Sequence, residues 1–206
     1  RVDSPGGQVV AADQIWRAVR AARERKPVIA SLGSIAASGG YYVASAAQEI
    51  WADPSTLTGS IGIFYGKVDV AKLAEHIGVE IQFFKRGRYA GADTVWRPYT
   101  TAERALLAES IRSYYRLFLQ RVSDGRGLSV QEVDRLGRGR IYSGERALER
   151  GLVDHLGGLA AALSRVRELG GVAEDPPAVV LPERKPDLMS CLAAQVLRGA
   201  AASPCN

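Results

Sequence analysis

The fold of this chain is decided by residues 27–47, PVIASLGSIAASGGYYVASAA. Residues 27–32 form a short apolar run, which is typical of a buried strand. Residues 33–40 carry glycines and hydroxyls that predict a tight turn, and the small residues of 40–47 predict a helix that packs closely on a sheet. A strand that leads through a turn into a helix is the repeating unit of α/β folds.

The same alternation extends in both directions from this unit. Apolar spacing predicts further strands over residues 50–52, 57–64 and 79–84. Periodicity and caps predict helices over residues 11–25, 70–77, 100–122, 129–136, 144–150 and 159–169. We therefore expect an α/β layered fold with mostly parallel strands and flanking helices.

Length and composition limit the classes of function. With 206 residues and 47% hydrophobic content, the chain can bury one core, which we place in a domain over residues 1–170. Residues 171–206 are expected to be an extension of unknown role, which holds Cys191 and Cys205. The net charge of +5 is scattered along the chain, so nucleic acid is not an expected partner. Two cysteines and two histidines without ligand spacing predict neither a metal site nor a cofactor.

The beginning of the sequence suggests a piece of a longer protein. It starts RVDSPGG without a methionine, at what we interpret as the end of a strand. No window reaches the roughly 18 consecutive apolar residues of a membrane-spanning helix. We expect this piece to be soluble by itself, while an anchor or a preceding domain could belong to the parent protein.

Two glycine-bearing turns are candidates for a catalytic site. SPGG at 4–7 and ASGG at 37–40 each lie where a strand should meet a helix, a geometry that directs backbone N–H groups into one cleft. Ser38 is the candidate nucleophile, because such a turn exposes a hydroxyl beside N–H donors. The alternative is that Ser38 only caps a helix. Three hydroxyls within TLTGSIG, residues 56–62, favour the catalytic hypothesis, because a plain buried strand would not hold them.

These segments together resemble the signal peptide peptidase A family. The resemblance rests on DSPGG at 3–7, AASGGYY at 36–42 and PSTLTGSIG at 54–62, in that order and at similar spacing. RIYSG at 140–144 and GLVDHLG at 151–157 extend it, so that it covers residues 1–165.

The resemblance implies both a fold and a set of site residues. The fold would be of the Clp-protease and crotonase type, with Ser38 as the acylated nucleophile. The N–H groups of Gly7 and Gly39 would bind the developing oxyanion, and the Ser60 hydroxyl would orient a lysine base. The family further implies hydrophobic peptides such as remnant signal peptides as substrates. It also implies homo-oligomers on a membrane, as at the bacterial inner membrane face.

The lysine base itself has no clear position in this sequence. Arginine cannot serve as a general base, which leaves five lysines, and Lys26, Lys72 and Lys185 are all expected to be solvated. In single-domain relatives the lysine follows a segment resembling GRY at 87–89, where this chain has Ala90.

Neither of the two other lysines fits the family pattern. Lys85 lies five residues too early, whereas Lys67 stays open as a candidate base although no motif surrounds it. The chain resembles the C-terminal half of two-domain members, in which a homologous lysine-bearing domain or subunit supplies the base. We therefore expect a Ser–Lys endopeptidase whose lysine comes from outside this chain.

Three alternatives stay open at this point. Ala90 is also what a catalytically inactive assembly subunit would carry. A crotonase-like acyl-CoA enzyme would share the fold without needing Ser38. A Ser–His–Asp triad would require His76, or His155 with Asp154, and both histidines have simpler structural explanations.

Overall fold

A six-stranded sheet forms the centre of the computed structural model, which describes residues 1–172. The strand order is β5-β4-β2-β3-β6, and β1 pairs with β2 off this path. Every pairing is parallel except that of β4 with β5. The predicted α/β fold with mostly parallel strands is therefore confirmed. The strands are β1 (Val2–Ser4), β2 (Ile29–Ala37), β3 (Glu49–Ala52), β4 (Leu57–Gly59), β5 (Ile141–Ser143) and β6 (His155–Leu156).

Seven helices connect the strands in the described part of the chain. They are α1 (Val9–Arg23), α2 (Gly39–Ala44), α3 (Ala71–His76), α4 (Thr101–Arg126), α5 (Val130–Leu136), α6 (Gly144–Glu149) and α7 (Leu159–Gly170). Each lies within a few residues of a helix predicted from the sequence. Among them, none combines the length and the apolar character that crossing a bilayer requires.

Two predicted boundaries in the sheet are wrong. Residues 33–37 continue β2 rather than turning, and Gly33 is needed there because a Cβ at this position would lie 2.6 Å from the Asp3 carboxyl carbon. The strand predicted over 57–64 ends at Gly59, because Ser60 adopts a left-handed backbone with φ 50°.

The strand predicted over residues 79–84 is also wrong. These residues lie in an irregular segment, and Phe84 is 93% exposed. An apolar run forms a strand only where a neighbouring strand pairs with it and a core covers it, and this segment has neither within residues 1–172.

The buried core fixes the helix that follows Ser38. Tyr41 and Tyr42 on α2 are almost fully buried, and the Tyr41 hydroxyl donates to the carbonyl of Leu152 at 2.8 Å. The Tyr42 ring lies 4.7 Å from that of Phe118 on α4. Because α2 is held on two sides, the backbone just before it has little freedom to move. Residues 1–171 form one compact unit. The extension expected over 171–206, with Lys185 and both cysteines, lies outside the described residues from 173 onward.

Candidate active site

Ser38 and Ser60 lie side by side where two neighbouring strands end. Parallel pairing of β2 with β4 sets Ala37 opposite Gly59, so the next residue of each strand is one of these serines. The Ser38 N–H donates to the Gly59 carbonyl at 2.9 Å, and the Ser60 N–H donates to the Arg140 carbonyl at 2.7 Å. Both serines have left-handed backbones, with φ of 52° and 50°. Such conformations cost roughly 1–3 kcal/mol and concentrate at functional sites.

The Ser38 side chain does not cap the helix that it precedes. Ser38 occupies the N-cap position of α2, yet its hydroxyl makes no capping hydrogen bond. The residue is partly exposed. The alternative role as a helix cap is thus contradicted, and the hydroxyl is free for another partner.

The bend at Gly6 and Gly7 packs directly against Ser38 and Gly39. Gly6 has φ 134°, and a Cβ there would lie 2.9 Å from Ser38 Cβ and 3.2 Å from its Oγ. A Cβ on Gly39 would lie 3.0 Å from the Gly7 nitrogen. Only glycine allows the two backbones to approach so closely. The two predicted glycine turns therefore meet at a single place.

Two backbone N–H groups are unpaired at this meeting point. Among the hydrogen bonds within residues 1–172, neither the Gly7 nor the Gly39 N–H acts as a donor. Unpaired N–H groups beside a serine hydroxyl are the donors from which oxyanion holes are built. The arrangement can stabilise negative charge on an oxygen bound next to Ser38.

A cavity of about 890 Å³ opens beside these residues. Ser38, Ser60, Gly7 and Gly39 all line it. Its walls come from α1, α4 and the segment after β4, and they are largely apolar. The apolar lining residues include Val9, Val10, Ala12, Tyr42, Ile63, Phe64, Leu107, Ile111, Tyr114 and Phe118. The cavity is therefore suited to an apolar side chain of a ligand whose polar group lies near Ser38.

The other hydroxyls of the β4 segment have a structural role. The Thr56 hydroxyl donates to the Gly33 carbonyl at 2.8 Å, and the Thr58 hydroxyl donates to the Ala36 carbonyl at 2.7 Å. Both side chains are buried and attach β4 to β2. Of these three hydroxyl-bearing residues, only Ser60 lines the cavity.

None of the four lysines within residues 1–172 lines the cavity. Lys26, Lys72 and Lys85 are exposed at the surface. The Lys67 Nζ donates to the carbonyls of Ala92 and Thr94 at 2.7 and 2.8 Å and lies over the Tyr99 ring. Its ammonium thus holds the segment that carries Ala90 in place, rather than facing Ser38.

Both histidines lie outside the cavity that Ser38 lines. His155 lies in β6, stacks on Trp51 and contacts Glu49. Asp154 accepts two hydrogen bonds from Arg126 and one from the Ile50 N–H. His76 is exposed at the end of α3, and neither histidine lines the cavity. A Ser–His–Asp triad is not assembled, and no group of acidic, histidine or cysteine side chains in the described residues could hold a metal ion.

A polar network that no sequence motif indicates contacts the cavity wall at Tyr42. Asp13 on α1 accepts hydrogen bonds from the Tyr42 hydroxyl and from Arg121 Nε, both at 2.8 Å. Burial by itself would raise the pKa of Asp13, but hydrogen bonds from Arg121, Arg17 and Tyr42 lower it to about 2. Because Asp13 and Arg121 lie 108 positions apart, no local pattern could have linked them.

Comparison with known proteins gives consistent matches. The profile of "Peptidase family S49" matches residues 20–173. "Serine protease SPPA, chloroplastic" from Arabidopsis thaliana is 40% identical over 84% of this chain and 26% of its own length. "Protease 4" from Salmonella typhi is 37% identical over 82% of this chain and 27% of its own length. "Putative signal peptide peptidase SppA" from Enterococcus faecium is 31% identical over 80% of this chain and 49% of its own length. The chain thus spans between about a quarter and a half of these relatives.

Among solved structures, a single-substitution mutant of ClpP1 from Listeria monocytogenes matches with a TM-score of 0.49 and 15% identity. The match covers 79% of this chain and 78% of that one.

Proposed function

Because the chain belongs to peptidase family S49, we propose that it is the serine-bearing part of a Ser–Lys endopeptidase with Ser38 as nucleophile. The reaction class, peptide hydrolysis by a serine peptidase, follows from the family and from relatives that are themselves named proteases. One observation carries the assignment of Ser38. Its hydroxyl makes no capping hydrogen bond, and it lies at the same cavity as two unpaired N–H groups.

The proposed reaction begins with attack of Ser38 Oγ on a peptide carbonyl carbon. A neutral lysine amine accepts the hydroxyl proton, and the carbonyl oxygen becomes an oxyanion held by the N–H groups of Gly7 and Gly39. The protonated lysine then donates to the leaving amine as the C–N bond breaks. Water releases the acyl group from Ser38 by the reverse sequence. Each N–H donor of this kind contributes about 3–4 kcal/mol in other hydrolases.

The base in this proposal is a lysine from a homologous domain or subunit. Lys67 is held by two carbonyls, and the other lysines within the described residues are exposed away from the cavity. An amine that enters the cavity would meet Ser60, which lies next to Ser38. In this proposal the Ser60 hydroxyl orients the amine. Desolvation by the apolar walls would lower the pKa of that amine, as a lysine base requires.

The proposed substrates are hydrophobic peptides, including remnant signal peptides. The apolar lining from α1 and α4 supports this class, because it would bury an apolar side chain next to the reacting carbonyl. We further propose that the parent protein associates with a membrane, at the inner membrane face in a bacterial setting, and assembles as a homo-oligomer.

A serine-directed fluorophosphonate tests this function. We expect Ser38 to be labelled when the chain is assembled with a lysine-bearing domain of its parent protein, and only slowly in the chain alone. The Ser38→Ala variant should not be labelled in either condition. Ser60→Ala should assemble normally but be labelled more slowly, because its lysine is less well oriented.

Two other outcomes would overturn the proposal. Assembly without labelling of Ser38 would support an inactive assembly subunit. Tight coenzyme A binding with full activity in Ser38→Ala would support an acyl-CoA enzyme, although membership of a peptidase family argues against that outcome.

A further inference from the structure

We propose that Asp13 is a positioning residue, which holds the Gly7 bend against Ser38 and against the α4 wall of the cavity. The proposal rests on the function assigned above and identifies a residue outside the cavity on which that function depends. Asp13 itself does not line the cavity. Asp13 acts through α1, α2 and α4, whose residues do line the cavity.

The Gly7 bend packs against Ser38 and Gly39 on one side only. Gly7 itself is exposed, and a Cβ there would meet nothing within 4 Å, so its other side makes no packing contact. The helix α1 begins two residues later, at Val9. A shift of α1 would therefore move the Gly7 N–H relative to Ser38.

The helix α1 is held by a narrow apolar face together with polar contacts. Only Ala12 and Trp16 of its fifteen residues are buried, while Val10 and Ile15 are 58% and 50% exposed. An apolar contact so narrow allows a helix to rotate or slide unless polar contacts fix it. Asp13 lies between the two buried residues and makes two of these polar contacts, to α2 and to α4, while Trp16 and Arg23 make others near the end of α2.

Asp13 joins α1 to the two other helices that build the site. One carboxylate oxygen accepts from the Tyr42 hydroxyl on α2, the helix that starts next to Ser38, and from Arg121 on α4. The Tyr42 N–H also donates to the Ser38 carbonyl at 2.8 Å. Arg121 lies in addition over the Trp16 ring, at 4.4 Å from its centroid. One carboxylate oxygen of Asp13 thus links three helices: α1, which follows Gly7, α2, which follows Ser38, and α4, which forms a wall of the cavity.

The decisive comparison is between Asp13→Ala and Asp154→Ala. Each variant removes a carboxylate that pairs with a largely buried arginine, but Asp154 pairs with Arg126 away from the cavity. Both should lower the melting temperature. Only Asp13→Ala should also slow the fluorophosphonate reaction of the assembled protein, by roughly tenfold or more, with the loss mainly in the rate of acylation rather than in probe binding.

Conservative variants separate positioning from charge. Asp13→Asn keeps an oxygen that can accept from both Tyr42 and Arg121, so it should restore most of the acylation rate. Arg17→Ala removes only the exposed partner of the second carboxylate oxygen and should leave the rate unchanged. If Asp13→Ala does not fold, Tyr42→Phe can replace it. This variant removes the hydrogen bond between α2 and Asp13 and keeps the aromatic ring at the cavity wall, so it should also slow acylation.

A second readout needs no activity at all. In chain labelled with ¹⁵N-glycine, the Gly7 amide resonance can be assigned by its loss in Gly7→Ala. It should shift in Asp13→Ala and not in Asp154→Ala. Equal effects of these two variants on acylation, or an unmoved Gly7 resonance, would overturn the inference. Absence of Ser38 labelling in the unmodified assembly would instead overturn the proposed function, while the resonance would still report on positioning.

Discussion

Gly6 is the residue of the first glycine turn that packs against the Ser38 side chain. Its φ of 134° is strained for any side chain, and a Cβ would lie 2.9 Å from that of Ser38. Alanine at this position must displace either the bend or the serine.

We predict that Gly6→Ala lowers the labelling rate of Ser38 by about a hundredfold, because a shift of roughly 1 Å in a catalytic group has that effect. The strained backbone should also cost about 1–3 kcal/mol of stability. Labelling kinetics and urea unfolding measure the two effects. Gly66→Ala is the matched control, since a Cβ there meets nothing within 4 Å. Normal labelling of folded Gly6→Ala would contradict the close packing of the two turns.

Single residues differ in how far the sequence could predict them. Ser38, Gly7, Gly39 and Ser60 stand in continuous motifs, so the sequence identified them, and their catalytic roles stay predictions. Asp13 belongs to no motif, because its partners come from two other helices. The reason is physical: a motif records local backbone geometry, whereas a buried polar network depends on tertiary packing.

At the scale of elements, the beginning of α4 is fixed by an unusually complete cap. Thr100 and Glu103 form a capping box, and Arg97 donates two hydrogen bonds of 2.7 Å to the Glu103 carboxylate. The Arg97 guanidinium, with the Thr100 backbone N–H, holds the pKa of Glu103 well below its usual range. This contact fixes the end of the segment 64–99 to the helix that forms the cavity wall.

The low pKa of Glu103 gives a stability prediction with a definite sign. A carboxyl group whose pKa is lower in the folded state stabilises the fold above its unfolded pKa of about 4.5, and this contribution is lost as the pH falls through the folded value. We expect Glu103→Gln to unfold at lower urea near neutral pH, and to lose less stability than the wild type on acidification. Glu109→Gln, exposed on the same helix, is the control and should leave both properties unchanged. Parallel acid profiles for wild type and Glu103→Gln would contradict this account.

The helices of this chain were easier to predict than its strands because most of them are longer. α4 runs for 26 residues with a sequence-readable cap, so its periodicity and its start are both evident. β5 and β6 have three and two residues, too few for any alternation to appear. The second half of β2 resembles a turn in sequence, since it contains glycine and serine. It is a strand because β1 and β4 pair with it there.

At the scale of the whole molecule, exposed apolar side chains are concentrated in one segment. Eleven of the 23 large hydrophobic residues that are exposed within residues 1–172 fall between Phe64 and Trp96. Isolated exposed apolar residues are ordinary, but such a concentration leads us to predict that this segment is a surface for association. The same segment contains Ala90, at the place where a lysine base was expected. A partner that covers this segment could therefore also bring the missing amine to the cavity.

Phe84 provides the test of that surface, because it is 93% exposed and does not line the cavity. We predict that Phe84→Asp weakens association with the lysine-bearing partner by roughly 30-fold, the loss of a central aromatic contact. Labelling of Ser38 should fall in proportion at limiting partner concentration and recover when the partner is in excess. Sedimentation velocity measures the first effect and the fluorophosphonate the second. Leu169→Asp, which changes an exposed apolar residue on α7, should alter neither. Burying an aspartate in an apolar contact costs free energy, so Phe84→Asp should weaken any interface that covers this position. If the variant assembles normally, the lysine-bearing partner binds through another surface.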